Sequence, residues 1–178
     1  MTALRDDYIA RLETRSDMQD HLPFLRDTAA AYGRIVELGV RTGNSTCAFL
    51  TGLADAGSGH LWSIDIAVPD VPASWHRMSR WSFLQADDMT ARARAWAPAT
   101  FDVLFIDTDP HSYDGALAEL HAYGPRVLPG GLILVHDTDP PAAAEPARAL
   151  SEYARLRGEA AELSFIRGCH GIGVLRIV

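Results

Sequence analysis

Two aspartates that each follow an apolar run could do chemistry together. The tetrapeptide DTDP occurs at 107–110, after FDVLFI, and again at 137–140, after GLILVH. This spacing fits one β-α-β unit, so the strands that end at Asp107 and Asp137 are predicted to pair. Neighbouring strands lie ~4.8 Å apart, which brings both carboxylates to the sheet edge where ligands bind. The second aspartate of each copy, Asp109 or Asp139, could cap the segment that follows.

The two strand-end carboxylates have two possible roles. They could bind a divalent cation such as Mg²⁺, which would orient a substrate oxygen and lower its pKa. Alternatively, Asp107 lines a ligand pocket while Asp137 hydrogen-bonds the substrate. The neighbouring His136 is expected to point to the opposite side of the strand, because side chains alternate along it.

A histidine just after the first aspartate is the better candidate for a general base. His111 falls in the first turn after the predicted strand, and the ordinary histidine pKa of ~6.5 suits proton abstraction near neutral pH. Cys169 and His170 have no third soft ligand nearby in the sequence, and we assign them no role.

A glycine-rich turn provides a second candidate site. The segment VELGVRTGNST at 36–46 runs from a predicted strand through Gly39 and Gly43 into a predicted helix. It lacks the GxGxxG pattern of dinucleotide sites, because Val40 and Arg41 follow the first glycine. Glu37, at the strand end, would repel a pyrophosphate and suit a ligand with an ammonium group. Arg41 could fix a carboxylate of the cofactor or substrate.

Two further strand ends complete a predicted nucleoside site. Asp65 ends the run HLWSIDI, where its carboxylate could accept hydrogen bonds from both ribose hydroxyls. Asp87 follows the run WSFLQA and could accept one from an adenine amino group. S-adenosylmethionine carries both a nucleoside and an ammonium group, so it fits this set of acids.

The elements that must position these residues alternate between strands and helices. Because helix-length spacers separate them, the β-rich runs predict a parallel sheet: 34–40, 60–66, 81–86, 101–107 and 131–137. Two later runs, 161–168 and 171–178, predict a closing hairpin. We expect Asn44 to cap the first helix after the glycine turn, and Pro129-Gly130 to turn the chain into the strand at 131.

Together these motifs resemble the class I S-adenosylmethionine-dependent methyltransferases. More narrowly, LFIDTDPHSYDGALAEL and LPGGLILVHDT are similar to a small-molecule O-methyltransferase group with the pattern IDGDHSYEG, PGG and HD. The resemblance spans about residues 33–139. The sequence departs from the pattern at three positions. Thr108 stands where the family has glycine, and Asp88 stands where it has serine. Pro110 stands before the motif histidine, at the place where catechol-type relatives carry a lysine.

The resemblance implies an α/β fold with a Rossmann-like seven-stranded sheet, in the order 3-2-1-4-5-7-6. The last strand would be antiparallel, with helices on both faces. It also implies S-adenosylmethionine as cofactor; Mg²⁺, held by the two strand-end acids, is a possible second one. The implied cofactor-binding residues are Glu37, Gly39, Val40, Arg41, Gly43, Asn44, Ser45, Asp65, Ile66, Asp87, Asp88 and Asp107. The catalytic candidates are His111 and Asp107, and the metal candidates are Asp107 and Asp137.

Composition restricts the remaining possibilities. The 178 residues suit one domain, 1–178, with helical residues 1–32 packing on the sheet or over the site. All sixteen basic residues are arginine, which excludes lysine chemistry. The net charge of -7 disfavours nucleic acid and anionic membranes as partners. Two cysteines and no signal pattern indicate a cytoplasmic protein.

The most consistent hypothesis is methyl transfer from S-adenosylmethionine to a hydroxyl of a small molecule, by a protein that could form a homodimer. A nicotinamide-dependent Rossmann oxidoreductase would share the fold and Asp65, but it would need the GxGxxG turn that is missing. A protein that binds S-adenosylmethionine without catalysis is the other alternative.

Overall fold

Seven strands form one mixed sheet in the computed structural model, which describes residues 2–139 and 144–178. Pro140, the last residue of the second DTDP, lies outside these residues. The strands are β1 (Arg34–Leu38), β2 (His60–Asp65), β3 (Trp81–Gln85), β4 (Phe101–Ile106), β5 (Val127–His136), β6 (Ala161–Ile166) and β7 (Ile172–Ile177). Their order is β3-β2-β1-β4-β5-β7-β6. Strands β1 to β5 pair in parallel, and β7 runs antiparallel to both neighbours. The predicted topology is confirmed.

Within the described ranges, six α-helices cover both faces of the sheet. They are α1 (Thr2–Glu13), α2 (Leu22–Tyr32), α3 (Asn44–Ala56), α4 (Ala91–Trp96), α5 (Tyr113–Tyr123) and α6 (Ala144–Arg157). One buried cluster joins α1–α3 to the sheet, and a second joins α4–α6 to the opposite face. Alternation along β4 supplies both clusters, since Phe105 belongs to the first and Leu104 to the second. No helix in the described part of the chain combines the length and hydrophobicity that a membrane crossing needs.

The N-terminal helices pack on the sheet and also reach the carboxyl edge. Leu25 of α2 is fully buried in the first cluster, and Pro23 stands in the first turn of α2, where its missing N–H costs no hydrogen bond. Between α1 and α2, Asp17 and Met18 line the cavity at the strand ends. Residues 1–32 therefore contribute both to the core and to the candidate site.

Three local predictions are wrong. Asn44 is the first helical residue of α3 rather than its cap; the cap position is Gly43, with φ +74°. Asp109 does not cap α5, because Ser112 accepts the Gly115 N–H instead (3.1 Å). The third prediction is wrong only in position: Gly130 has φ +82°, as the centre of a type II turn requires, but Pro129-Gly130 lie within the strand rather than before it. β5 begins at Val127, and its register against β4 shifts there, so the extra residues form a bulge within the strand.

Candidate active site

A cavity of about 960 Å³ opens at the carboxyl ends of the parallel strands. This is the edge where ligands bind in open α/β sheets. The cavity brings together most of the predicted site residues, namely Gly39, Val40, Arg41, Asn44, Ser45, Asp65, Ile66, Asp87, Asp88, Asp107, His111 and Asp137. Of the predicted residues, Glu37 and Gly43 do not line the cavity.

Glu37 is fully buried beneath the glycine turn. Its carboxylate accepts hydrogen bonds from the hydroxyls of Ser45 (2.7 Å), Thr46 (2.8 Å) and Ser63 (2.6 Å). Burial raises the pKa of Glu37 to about 7, although the three hydroxyl donors oppose the shift. Ser45 also lines the cavity, so its hydroxyl connects the cavity wall to Glu37, and the three hydrogen bonds hold the start of α3 against β1 and β2.

Gly39 occupies a position that only glycine can fill. Its φ is +88°, and a Cβ added there would collide with the carbonyl of Asp107 at the end of β4. The turn is further fixed by the Gly39 N–H, which donates to the Ile64 carbonyl (2.9 Å). Gly43 has φ +74°, and a Cβ there would press on Val71. The turn therefore lies close against β4, which brings its backbone near Asp107.

Asp65 at the end of β2 organises the same turn. Its Oδ2 accepts the N–H groups of Val40 (2.7 Å) and Arg41 (3.0 Å), and its Oδ1 accepts that of Ala67 (2.8 Å). Arg41 has φ +53°, and its exposed side chain lies 3.4 Å from Asp17. Asp65 is thus held in place beside the cavity, with its carboxylate facing the loop that a ribose would contact.

The loop after β3 forms the next part of the wall. Asp87 accepts the Met89 N–H through Oδ1 (2.8 Å), and the hydroxyl of Tyr123 donates to the Asp88 carbonyl (2.6 Å). Facing this loop, the Thr108 hydroxyl donates to Glu119 Oε1 on α5 (2.6 Å). Glu119 was not singled out from the sequence, where it looks like an ordinary acid on a helix.

Asp137 lies among three histidines. Its Oδ2 is 3.1 Å from His111 Nε2 and 3.2 Å from His136 Nδ1, and its Oδ1 is 2.9 Å from His170 Nδ1. Burial alone would raise the pKa of Asp137, but hydrogen bonds and charge from the histidines, chiefly His136, lower it to about 2. Asp137 is therefore an ionised acceptor throughout the neutral range.

His136 is buried, and each of its two ring nitrogens lies near oxygen atoms that can only accept hydrogen bonds. Nδ1 is 3.1 Å from Asp107 Oδ1 and 3.2 Å from Asp137 Oδ2. Nε2 is 3.1 Å from the Asp17 carbonyl and 3.0 Å from the Cys169 carbonyl. Carbonyls and carboxylates only accept, so both nitrogens must carry protons. Burial by itself would lower the pKa of His136, but the carboxylates of Asp107 and Asp137 raise it to about 11.

Two predictions about these histidines are wrong for conformational reasons. His136 was expected to point away from Asp137, but β5 ends at His136 and Asp137 adopts φ +57°, so the alternation of the strand stops there. Cys169 and His170 were assigned no role, yet the loop between β6 and β7 folds back onto the end of β5. Its backbone is tied there because the Asp139 N–H donates to the His170 carbonyl (2.7 Å).

The predicted proximity of the two strand-end acids is confirmed, and one histidine joins them. Asp107, His111 and Asp137 each offer one ligand atom, and these atoms all lie within 4.8 Å of one another. Two oxygens and a nitrogen suit a borderline divalent cation such as Mn²⁺ or Zn²⁺ better than Mg²⁺, which prefers oxygen ligands. The imidazolium of His136 already balances part of the charge of the acids.

Comparisons with known proteins agree with this geometry. A family described as a methyltransferase domain matches residues 36–138, which is more than half of the 178 residues. No curated protein sequence matches the chain.

Solved structures of methyltransferases share the fold. The S-adenosylhomocysteine-bound methyltransferase PaMTH1 of Podospora anserina has 13% identity and a TM-score of 0.67, over 99% of this chain and 88% of that one. An O-methyltransferase from Bacillus cereus, solved with S-adenosylhomocysteine, has 15% identity and a TM-score of 0.65, over 99% and 90% of the two chains. A TDP-rhamnose 3′-O-methyltransferase of calicheamicin biosynthesis has 18% identity and a TM-score of 0.65, over 88% and 76%.

The sheet order, the glycine turn against β4 and the matched residues converge on one assignment. The chain belongs to the methyltransferase-domain family, with the fold of class I S-adenosylmethionine-dependent methyltransferases.

Proposed function

We propose that this protein uses S-adenosylmethionine to methylate a hydroxyl group of a small molecule, with His111 as the general base. The observation that carries the proposal is the 3.1 Å contact between His111 Nε2 and Asp137 Oδ2 at the cavity wall. It is supported by the family match and by relatives whose names state O-methylation or bound S-adenosylhomocysteine.

The cofactor would lie across the ends of β1 to β3. S-adenosylmethionine, when bound, supplies a methyl group on a positively charged sulfur. Asp65 would accept the ribose hydroxyls, and Asp87 the adenine amino group. Ser45 and Arg41 would face the amino acid end, with Glu37 behind Ser45. These assignments follow the strand ends that line the cavity.

The contact with Asp137 determines which nitrogen of His111 acts as the base. Because the Asp137 carboxylate only accepts, the Nε2 of His111 carries the proton that joins them. Nδ1 would then accept the proton that the acceptor hydroxyl loses. The acceptor oxygen would form a bond to the methyl carbon, and the electron pair of the broken carbon–sulfur bond would stay with the sulfur. The ionised Asp137 stabilises the imidazolium that results. Alignment of the acceptor oxygen with the methyl group would provide much of the rate.

The acceptor is expected to enter beside the N-terminal segment. A second cavity, of about 660 Å³, is lined by six residues of the N-terminal segment together with Cys169 and His170, and Asp17 lines both cavities. A molecule that spans the two would pass His170 and place a hydroxyl near His111. In this proposal, residues 1–32 act as the acceptor-binding part of one domain.

A divalent cation is the alternative way to activate the hydroxyl. Asp107, His111 and Asp137 would hold it, and it would lower the pKa of a bound hydroxyl. His111 cannot then serve as the base, so the two mechanisms exclude each other. Activity that survives EDTA and does not rise with Mg²⁺ or Mn²⁺ supports the base; activity that requires a metal supports the cation.

The experiment that tests the function uses binding first and turnover second. Thermal shift with S-adenosylhomocysteine and with NAD separates a methyltransferase from a nicotinamide-dependent enzyme. Methyl transfer from labelled S-adenosylmethionine to a panel of hydroxylated small molecules then identifies an acceptor. We expect His111→Ala and Asp137→Asn to lower the turnover of that acceptor at least 100-fold. His121→Ala, which changes an exposed histidine of α5 outside both cavities, should not. Full activity in both site variants would refute the assignment.

A further inference from the structure

Two carboxyl groups, those of the buried Glu119 and the half-buried Asp88, face the cavity without a use in the proposed reaction. Asp88 and Glu119 both line it, and Glu119 is only 4% exposed. Asp88 Oδ2 and Glu119 Oε2 are buried atoms that no donor in the described part of the chain reaches. A buried acceptor without a donor is costly, so a native structure rarely keeps two of them together.

One proton would satisfy both oxygens. A protonated carboxyl group donates one hydrogen bond, and an ionised carboxylate accepts it. Burial is the main cause that raises the pKa of Glu119. The neighbouring acids Asp88 and Asp87 raise it further, the hydrogen bond from the Thr108 hydroxyl lowers it, and the resulting pKa is about 8. Burial also raises the pKa of Asp88, with the charge of Asp87 adding to it. Two adjacent carboxyl groups cannot both ionise, because their negative charges repel each other, so they share one proton.

The surroundings of the pair contain acids and no balancing cation. Asp87 stands on the same loop, and Tyr123 of α5 donates its hydroxyl to the Asp88 carbonyl. The charges of Arg94 and Arg126 oppose the rise in the pKa of Tyr123 that burial causes. The guanidinium carbon of Arg126 lies 5.6 Å from the centre of the Tyr123 ring. Among residues 2–139 and 144–178, no arginine or histidine forms an ion pair with either carboxyl.

The pair also connects two departures from the family pattern. Asp88 stands where the resembling group has serine, and Thr108 stands where it has glycine. Glu119 contacts both regions, since Thr108 donates to its Oε1 (2.6 Å) and its carboxyl group is hydrogen-bonded to that of Asp88. Thr108 directly follows Asp107, so Glu119 links the loop after β3 to the segment that leads to His111.

We propose that Asp88 and Glu119 share one proton in the wall of the cofactor cavity, and that the cofactor binds tightly only while they hold it. The inference rests on the proposed cofactor site, in which the adenine ring lies beside Asp87 and covers the pair. Covering carboxyl groups with an uncharged ring removes water from them, which costs much more when both are ionised. Glu119 is accordingly a positioning residue, because it acts through Asp88 and Thr108.

Binding of S-adenosylhomocysteine should therefore weaken with rising pH. Above the pKa of the pair, binding must take up one proton, so the affinity falls on the order of tenfold per pH unit. In Glu119→Gln the side-chain amide can donate to Asp88 permanently and still accept from Thr108. Its affinity should stay nearly constant between about pH 7 and 9.5.

The experiment combines calorimetry with a direct measurement of the proton. Affinity for S-adenosylhomocysteine is measured across this pH range in the wild-type protein, in Glu119→Gln and in Glu162→Gln. The last variant is the control, because Glu162 is an exposed residue of the edge strand β6 and lines neither cavity. In parallel, infrared spectroscopy of the ligand-free proteins follows the carbonyl stretch of protonated carboxyl groups.

We expect a protonated carboxyl band that titrates near pH 8 in the wild type and in Glu162→Gln and that Glu119→Gln lacks; the band of Glu37, which titrates near pH 7, is common to all three proteins and cancels in the difference spectra. Difference spectra between the wild type and Glu119→Gln that contain no such band would overturn the shared proton. Identical pH profiles of affinity in the wild type and Glu119→Gln would overturn its coupling to the cofactor. Failure of S-adenosylhomocysteine to bind at any pH, with the band still present, would overturn that coupling and the proposed cofactor site while leaving the shared proton established.

Discussion

The substitution His136→Gln tests the buried imidazolium. The pKa of His136 is raised from 6.5 to about 11 in the folded protein. A raised histidine pKa adds stability that is fully present below pH 6.5 and is lost as the pH rises towards 11. Glutamine has the donor of an amide but no charge, so it leaves Asp107 and Asp137 facing each other without a cation.

The size of the effect follows from the shift. Removing one partner of a buried ion pair costs about 3–5 kcal/mol, so His136→Gln should lower the free energy of unfolding by about that much at pH 7. Each pH unit between 6.5 and 11 removes about 1.4 kcal/mol of the imidazolium's contribution. The cost of the substitution should therefore shrink by about 2.7 kcal/mol between pH 7 and pH 9. This second figure requires only that the folded-state pKa lies above 9.

Guanidinium unfolding of both proteins at pH 7, 8 and 9 measures the difference. His60→Gln is the matched control, because His60 is partly buried and hydrogen-bonds Ser82 (2.9 Å), while burial lowers its pKa. The cost of that control substitution should not change over this range. If the cost of His136→Gln is equally independent of pH, then His136 is neutral in the folded protein and the ionic account of the site is wrong.

Three further substitutions probe the turn and the helix start. Gly39→Ala should abolish S-adenosylhomocysteine binding in calorimetry, because its Cβ would meet the Asp107 carbonyl; normal affinity would contradict the close approach. The wild-type protein should lose about 3 kcal/mol of unfolding free energy as the pH rises from 4.5 to 7, because folding raises the pKa of Glu37 to about 7. Glu37→Gln should not show this loss; the same dependence of unfolding free energy on pH in both proteins would contradict the raised pKa. Ser112→Ala should cost about 1 kcal/mol and lower Tm by roughly 2–4 °C, because it removes the cap of α5; an unchanged Tm would exclude that role.

The sequence predicted the sheet because each of its parallel strands is a short β-rich run followed by a turn or an acid. The neighbouring positions of Asp107 and Asp137 followed from the β-α-β spacing alone, and the structure has β4 paired with β5. Gly39 could be identified as part of a ligand turn, but its contact with Asp107 depends on packing between strands.

The remaining site residues depend on backbone conformations that the pattern does not contain. His136 meets Asp137 because Asp137 adopts φ +57°, and His170 arrives through a loop with φ +43° at Cys169 and +65° at His170. Such angles are uncommon outside glycine and asparagine, so a pattern of residue types cannot predict them. The glycines of RGCHG were the available signal, since they mark a tight loop. Glu119 carried no signal, because its importance comes from Asp88 and Thr108, which are distant in sequence.

The contacts of His136 also bear on how the protein is made. Its Nε2 contacts the carbonyl groups of Asp17 and Cys169, which lie on opposite sides of it in the sequence, so that one is synthesised before His136 and the other after it. Until Cys169 has been added and the β7 hairpin has closed, one acceptor of the imidazolium is absent and the end of β5 is uncovered. The glycine turn can fold while the chain is still growing. The imidazolium between the paired acids acquires its complete set of acceptors only after the chain has been extended through Cys169, so the site should become complete later than the glycine turn.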